Sequence, residues 1–533
     1  MSRMKATFRG RSFGAVISVA ILCAGCTTSP SAQTSTGPKT LVVDEGFSYD
    51  DLDPVLGSLT TAIIVDKNVY DTLMTVNPND LSKPYPSLAT SYTVSPDALT
   101  TTFQLRHDVK FASGNPLTSA DVVWSLTRLD TLGLQSGLLI PMTGLTVSAP
   151  DPYTVVFKST KPNPAVAMSM TISNAGILDS VLMEQHGGTD SAKDKADNFL
   201  NSSSAGSGPY MIQFVDRTSQ IILKANPNYW GPKPAYSTVI LRDAPPATQA
   251  FDIQDGQAQI ALDISPDAAA SLDLSKVNLV SRPTLDQFFI ALNADPAVTK
   301  WGANQNFRDA VRYGLDYKGL VALAGKGAAQ ATGFIPNGVL GSIPLADAPQ
   351  RDLARAQASL ALAEQQVGSN NPTLDMNFAT DWFVDGLGES PFAAKIQSDL
   401  KEVGIKVNLD GAPTAVWAAR WPAGKVQMEM AANLADYPDP ADFTTWMVGP
   451  GNDTDFGAHW VQGMDPNIDA LSKTALDAVT TADRGAAFQA LVKAMNDKAY
   501  FDWIYQPGRY LVTVKSVHAT INPVTYVDFG LVT

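Results

Sequence analysis

Cysteine is nearly missing from this chain. There are 2 in 533 residues, Cys23 and Cys26, both close to the N-terminus. No pair is left to cross-link a folded body, so its stability rests on core size and not on disulfides. Histidine is scarce as well. The 4 residues His107, His186, His459 and His518 are scattered, in no spacing that suits a metal. Beyond the N-terminal segment there is no apolar run of membrane-spanning length and no internal repeat. Signatures of hydrolytic chemistry are lacking too. There is no His-Glu-x-x-His and no Gly-x-Ser-x-Gly, and Ser204-Ala205-Gly206-Ser207-Gly208 has the wrong spacing for a nucleophile elbow. Ser398-Asp399-Leu400-Lys401 matches Ser-x-x-Lys, but no Lys-Thr-Gly or Ser-Asp-Asn accompanies it, so it is read as a chance match. Together these absences argue against an enzyme and against a metal or other cofactor.

What is present begins with an export signal. Arg3, Lys5, Arg9 and Arg11 form a positive start without an acid, followed by an apolar stretch from Phe13 to Leu22 and the small residues Ala24 and Gly25. That order is an n-region, an h-region and a cleavage site, placing residues 1–25 in a signal peptide. The segment Leu22-Cys23-Ala24-Gly25-Cys26 resembles the lipobox of bacterial lipoproteins, with Cys23 where leucine is usual. The resemblance implies acylation of Cys26. Residues 26–40, rich in Ser, Thr and Pro, then form a flexible tether on a lipid anchor.

Loss of the four basic residues of the signal takes the formal charge from −14 to −18. Such acidity disfavours nucleic acid and anionic lipid headgroups as partners and serves solubility. A body of about 490 residues is too long for a single core, so two lobes are expected. Leu41-Val42-Val43, Leu99–Leu105, Thr154–Phe157 and Gln220–Lys224 read as strands. Thr118-Ser119-Ala120-Asp121 reads as a helix start, with Thr118 capping free amides. Asn306–Leu323 reads as one helix. Phe392–Val403 is another, stopped at Gly404 and followed by a strand over Ile405–Leu409. Strand–helix alternation in both halves predicts α/β lobes.

Several segments in order resemble the family 5 extracellular solute-binding proteins that serve peptide and nickel importers. They include Ser87-Leu88-Ala89-Thr90-Ser91-Tyr92, Thr101-Thr102-Phe103-Gln104-Leu105-Arg106, and Pro116-Leu117-Thr118-Ser119-Ala120-Asp121-Val122. Leu52-Asp53-Pro54, Val69-Tyr70-Asp71-Thr72-Leu73, Gly206-Ser207-Gly208-Pro209-Tyr210, Asn226-Pro227-Asn228-Tyr229-Trp230-Gly231, Asn306-Phe307-Arg308-Asp309-Ala310 and Asp436-Tyr437-Pro438-Asp439-Pro440 extend the match. Ala98 and Asp108 stand where the family has turn glycines. Most of these residues read as structural: Tyr229 and Trp230 as packing aromatics, Arg308 as a solvated or salt-bridged side chain.

The resemblance implies an enlarged type II periplasmic-binding-protein fold. Lobe I comprises 41–288 completed by 505–533, with an inserted subdomain at about 67–205, and lobe II comprises 289–504. It implies a monomer that binds a peptide or small solute outside the cytoplasm and delivers it to ABC permease and ATPase subunits. The Asp436 loop is expected to leave a strand over Val426–Ala431, where α/β folds place ligands. In peptide-binding relatives the matching aspartate holds the ligand's α-ammonium, with Asn433 and Tyr437 as its neighbours. Capping of a turn is the other reading of Asp436, and it implies a neutral ligand such as a sugar stacked on Trp417, Trp421 or Trp446. Dipeptide binders also carry an arginine for the ligand carboxylate. Met376–Phe392 has Asp381, Asp385 and Glu389 and no Lys or Arg, so a longer peptide or another amine-bearing or uncharged polar solute fits better. A secreted lipoprotein hydrolase and a ligand sensor without transport are the alternatives.

Overall fold

β-Branched and aromatic runs become the strands of two large sheets. The structure, a computed structural model, describes residues 39–533 apart from 50, 58, 133–143, 421–423, 449–457 and 459–462, with the side chains of 445 and 446 also undescribed. Cys26, Trp421, His459 and the Trp446 side chain therefore lie outside the described residues, as do the signal and most of the tether.

Strand β1 is Thr40–Glu45. Leu41 and Val43 point into one core and are fully buried, beside helix α1, Thr60–Val69. Its parallel neighbours are β2, Thr238–Asp243, and β3, Ile260–Ala261. Between β1 and β2 the chain builds a four-stranded antiparallel sheet from Ala89–Val94, Thr100–Leu105, Thr154–Ser159 and Leu145–Asp151. Helix α2, Ser119–Leu132, shares a core with it. The expected cap at its start takes another form: the Thr118 hydroxyl and N–H both donate to Asp121 Oδ2, at 3.1 and 2.9 Å. Ala98, in place of a turn glycine, adopts φ +52°, so the turn is kept at the cost of left-handed backbone.

Strand β4, Val277–Pro283, is the edge of the first sheet. The chain then enters the second sheet at β5, Gln287–Leu292, whose residues are all buried. Phe288, Ile290 and Leu292 feed one core, and Phe289 and Ala291 the core on the other face. The six-stranded sheet continues with β6, Thr373–Ala379, β7, Met428–Asn433, and β8, Phe501–Gln506. Strand β9, Gly508–Val514, returns to the first sheet between β3 and β4. Residues 288 and 505 thus lie inside β5 and β8. The chain changes sheets at Thr284–Asp286, just after Pro283 ends the β4 ladder opposite Gly508, and at Pro507, which separates β8 from β9.

The expected single helix over Asn306–Leu323 is two: α3, Gln305–Gly314, and α4, Tyr317–Ala324. Asp316 breaks it by accepting the Gly319 N–H at 3.1 Å as an N-cap. Helix α5, Ser390–Val403, ends as expected with Gly404 at φ +110°. Among the described residues no helix is long and apolar enough to cross a membrane.

Candidate functional site

Strand β7 lies between β5 and β6, antiparallel to the first and parallel to the second. A central position buries both of its faces, so the alternation of Met428 and Met430 with Glu429 marks two interiors and not a wet side. Glu429 is fully buried and both its oxygens accept from Asn377 Nδ2, at 3.0 and 2.9 Å. Asn433 ends the strand opposite Gln287, the first residue after the sheet crossing. The loop that follows is therefore held at the carboxyl end of the sheet, beside the crossing. The Ala435 N–H donates to Asp286 Oδ1 at 3.0 Å.

Two carboxylates, Asp439 and Asp442, cap this loop. Asp439 accepts the Ala441 N–H at 2.9 Å at the start of helix α6, Pro440–Met447. It also takes a forked pair of bonds from Arg484, at 3.0 and 2.6 Å. Asp442 Oδ2 accepts the N–H groups of Asp436 and Tyr437, at 3.1 and 3.4 Å. Burial, and then the Asp436 charge, push the Asp442 carboxyl well above the usual carboxylate range. Asp436 itself is half-buried. Asn433 Nδ2 and the Tyr437 hydroxyl are buried with no hydrogen-bond partner among the described residues. Each such group costs about 1–3 kcal/mol until it is bonded. Asp442 carried no signal in the sequence beyond its place six residues after Asp436.

Of the tryptophans named as stacking surfaces, Trp417 is 3% exposed and packs in a core, its ring 5.2 Å from that of Trp382. That position belongs to the interior. Two cavities, of about 340 and 370 Å³, lie away from the Asp436 loop. The first contains Arg420, already bonded to Asn377 and Asp410. The lining of the second includes Pro266, Phe383, Leu387 and Phe392 together with Asp267 and Ser390. Among the described residues no cluster of three His, Cys, Asp or Glu side chains could hold a metal ion.

The crossing itself is built around Arg509, which is 3% exposed. Its guanidinium donates to Asp286 Oδ2 at 2.9 Å, to Asp385 Oδ1 at 2.5 Å and to the Asn522 carbonyl at 3.1 Å. It also lies 3.5 Å from the centre of the Tyr526 ring. Asp385 sits in a hairpin next to β6 at φ +53°. Gln506 Nε2 donates to the Thr284 carbonyl at 2.9 Å, joining one crossing to the other. Of these residues only Asp385 was named in the sequence, as one acid of the Met376–Phe392 segment.

The other motifs prove to be scaffold. Ser207 Oγ and Trp230 Nε1 converge on Asp71 Oδ2, at 2.9 and 2.7 Å, so three of the matched segments meet at one half-buried carboxylate. Asp53 and Asp194 both bind the fully buried Arg128. Tyr229 and Trp230 pack against each other as expected. Arg308 is buried and, among the described residues, has no ion pair: it donates to the Lys498 and Gly302 carbonyls at 2.8 Å and lies over Tyr500.

The chain is 26% identical over 501 residues to the probable D,D-dipeptide-binding periplasmic protein DdpA of Escherichia coli K12, covering 87% of this chain and 92% of that one. The Helicobacter pylori periplasmic binding protein DppA, solved with the peptide STSA, superposes with a TM-score of 0.75 at 21% identity over 92% of this chain and 98% of its own. The agropinic acid complex of AgaA from A. tumefaciens R10 gives 0.76 at 22% identity, over 92% and 96%. The fold is thus the two-lobed α/β fold of the periplasmic binding proteins. Residues 83–455 match the middle region of the bacterial extracellular solute-binding proteins, family 5, and the chain belongs to that family.

Proposed function

We propose that this protein is the binding component of an ABC importer, that it captures a peptide or another amine-bearing polar solute, and that Asp436 holds the ammonium. The observation that carries this reading is the division of labour in the loop. Asp439 and Asp442 accept the capping N–H groups, so the turn-cap role read for Asp436 is filled by others. A carboxylate at the end of a central strand offers a charge-assisted bond at one place, whatever the side chains of the ligand. Asn433 Nδ2 and the Tyr437 hydroxyl are buried polar groups beside it that a solute's backbone can satisfy. The lobes, meeting at the crossings Thr284–Asp286 and Pro507, move about those crossings and close on the solute.

Isothermal titration with tri-alanine and its N-acetylated form tests the assignment. Asp436→Asn should weaken tri-alanine about ten- to hundredfold, the worth of a charged hydrogen bond. N-acetylation should weaken wild type similarly and the variant hardly at all. A variant that binds as wild type does and melts early makes Asp436 a structural residue. The reading includes export by residues 1–25 and a lipid anchor at Cys26 on the 26–40 tether, working as a monomer. Cys26→Ser should release the protein from the membrane fraction with binding intact, and continued membrane association would locate the anchor elsewhere.

A further inference from the structure

The first sheet carries its own carboxylates at the end where α/β folds bind ligands. Strands β2, β1 and β3 are neighbours in that sheet, with β1 parallel to both. Their carboxyl ends bring together Asp243, Glu45 and, two residues beyond β3, Asp263. Asp263 is half-buried, and its Oδ2 accepts the Gly46 N–H at 2.7 Å. Its backbone N–H is held by Gln249 Oε1 at 2.9 Å, which fixes the loop.

Glu45 is the unusual member. It is fully buried, its Oε1 accepts the Thr61 hydroxyl at 2.8 Å, and its Oε2 has no hydrogen-bond partner among the described residues. The charges that act on it most strongly are those of Asp263 and Asp243, both negative. The cations nearby are already engaged. Arg242 is bonded to Asp44 and Asp252, and Arg509 to Asp286 and Asp385. With a second acid close by, a buried carboxyl of this kind either holds a proton or meets a cation.

These acids continue the line that begins at Asp436. Ala435 is bonded to Asp286, Asp286 to Arg509, and Arg509 to Asp385, whose charge in turn acts on Asp263. The route crosses from the second sheet to the first with one guanidinium on it. We infer that the solute carries a second cationic group, a basic side chain or a further amine, which Asp263 and Glu45 receive at the ends of β3 and β1. This rests on the amine reading of Asp436 and adds a substrate class to it.

Matched tripeptides differing only in the first side chain test this: Lys-Ala-Ala, norleucyl-Ala-Ala and Glu-Ala-Ala, titrated into the full-length mature protein. The lysyl peptide should bind about ten- to hundredfold tighter than the norleucyl one, and the glutamyl peptide weakest. In Asp263→Asn, and separately in Glu45→Gln, the ratio of lysyl to norleucyl affinity should collapse toward one. Equal affinity of the lysyl and norleucyl peptides for wild type overturns the inference and leaves the Asp436 reading standing. A preference for lysine that survives both substitutions places the second cation elsewhere and overturns it too. If none of the three peptides binds, the amine reading fails and this inference fails with it.

Discussion

Replacing Arg509 by methionine keeps most of its length and removes the charge that joins the two sheets. The structure sets the consequence. Asp286 and Asp385 stay buried, at 4% and 5% exposure, facing each other without their shared guanidinium. Breaking a buried pair by deleting one partner costs about 3–5 kcal/mol, because the remaining charge is stranded. The lost stacking on Tyr526 and the lost bond to the Asn522 carbonyl place Arg509→Met in the middle of that range or above it. At about 2–4 °C per kcal/mol for a large domain, the melting temperature should fall by about 8–16 °C. The loss should depend on pH, and its sign follows from Asp286. Burial and the neighbouring Asp385 push its carboxyl up from 3.8 to about 7. A carboxyl raised on folding binds its proton more tightly in the native state, so wild type loses stability as pH rises from about 4 to about 7. Without Arg509 the carboxyl rises further and the loss continues above pH 7. Differential scanning calorimetry of both proteins at pH 5 and pH 8 should show the gap widening at the higher pH. An equal gap at both values, or a variant that melts with wild type at pH 8, would refute the argument that Arg509 neutralises this pair.

Glu389→Gln should work in the opposite direction. The Glu389 carboxyl is buried, accepts the Ala379 N–H at 2.6 Å, and is pushed from 4.5 to about 9 by burial and then by Glu429. Wild type therefore loses stability as pH rises between about 4.5 and 9, while glutamine does not titrate, so the variant should gain on wild type in thermal melts from pH 5 to pH 9. Gly206→Ala should destabilise by about 3 kcal/mol in urea unfolding. Its Cβ would fall against the Val69 carbonyl oxygen, and backbone on both sides cannot move aside. Arg128→Met strands Asp53 and Asp194 at the root of the inserted segment and should cost about 3–5 kcal/mol, with hydrogen exchange rising first around α2.

Local pattern was a faithful guide wherever one strand or helix could be judged alone. The alternation over Leu99–Leu105 became Thr100–Leu105, and Gly404 ended α5 in the left-handed conformation expected of it. It failed where the apolar spacing ran on in phase. Phe307, Val311, Leu315 and Leu320 hold one stripe through a break that Asp316 makes by capping a second helix. At β7 the alternation of Met428 and Met430 with Glu429 does not say whether the strand is central, and only the sheet shows that both faces are buried.

By itself the sequence determined the kind of molecule: strand–helix alternation and length demanded α/β lobes, and ordered motifs pointed to a solute-binding family. Those motifs are legible because they are local, and most of them turned out to hold scaffold. Asp71, Ser207 and Trp230 meet at one carboxylate from positions far apart in the chain. The site and its crossing were decided only in three dimensions. Arg509 meets Asp286 across 223 positions and Asp385 across 124, and Asp263 accepts the N–H of Gly46, next to Glu45, only because β1 and β3 lie side by side. Charge neutralisation acts over a few ångströms of space and takes no account of distance along the chain, so no spacing in the sequence could have announced it.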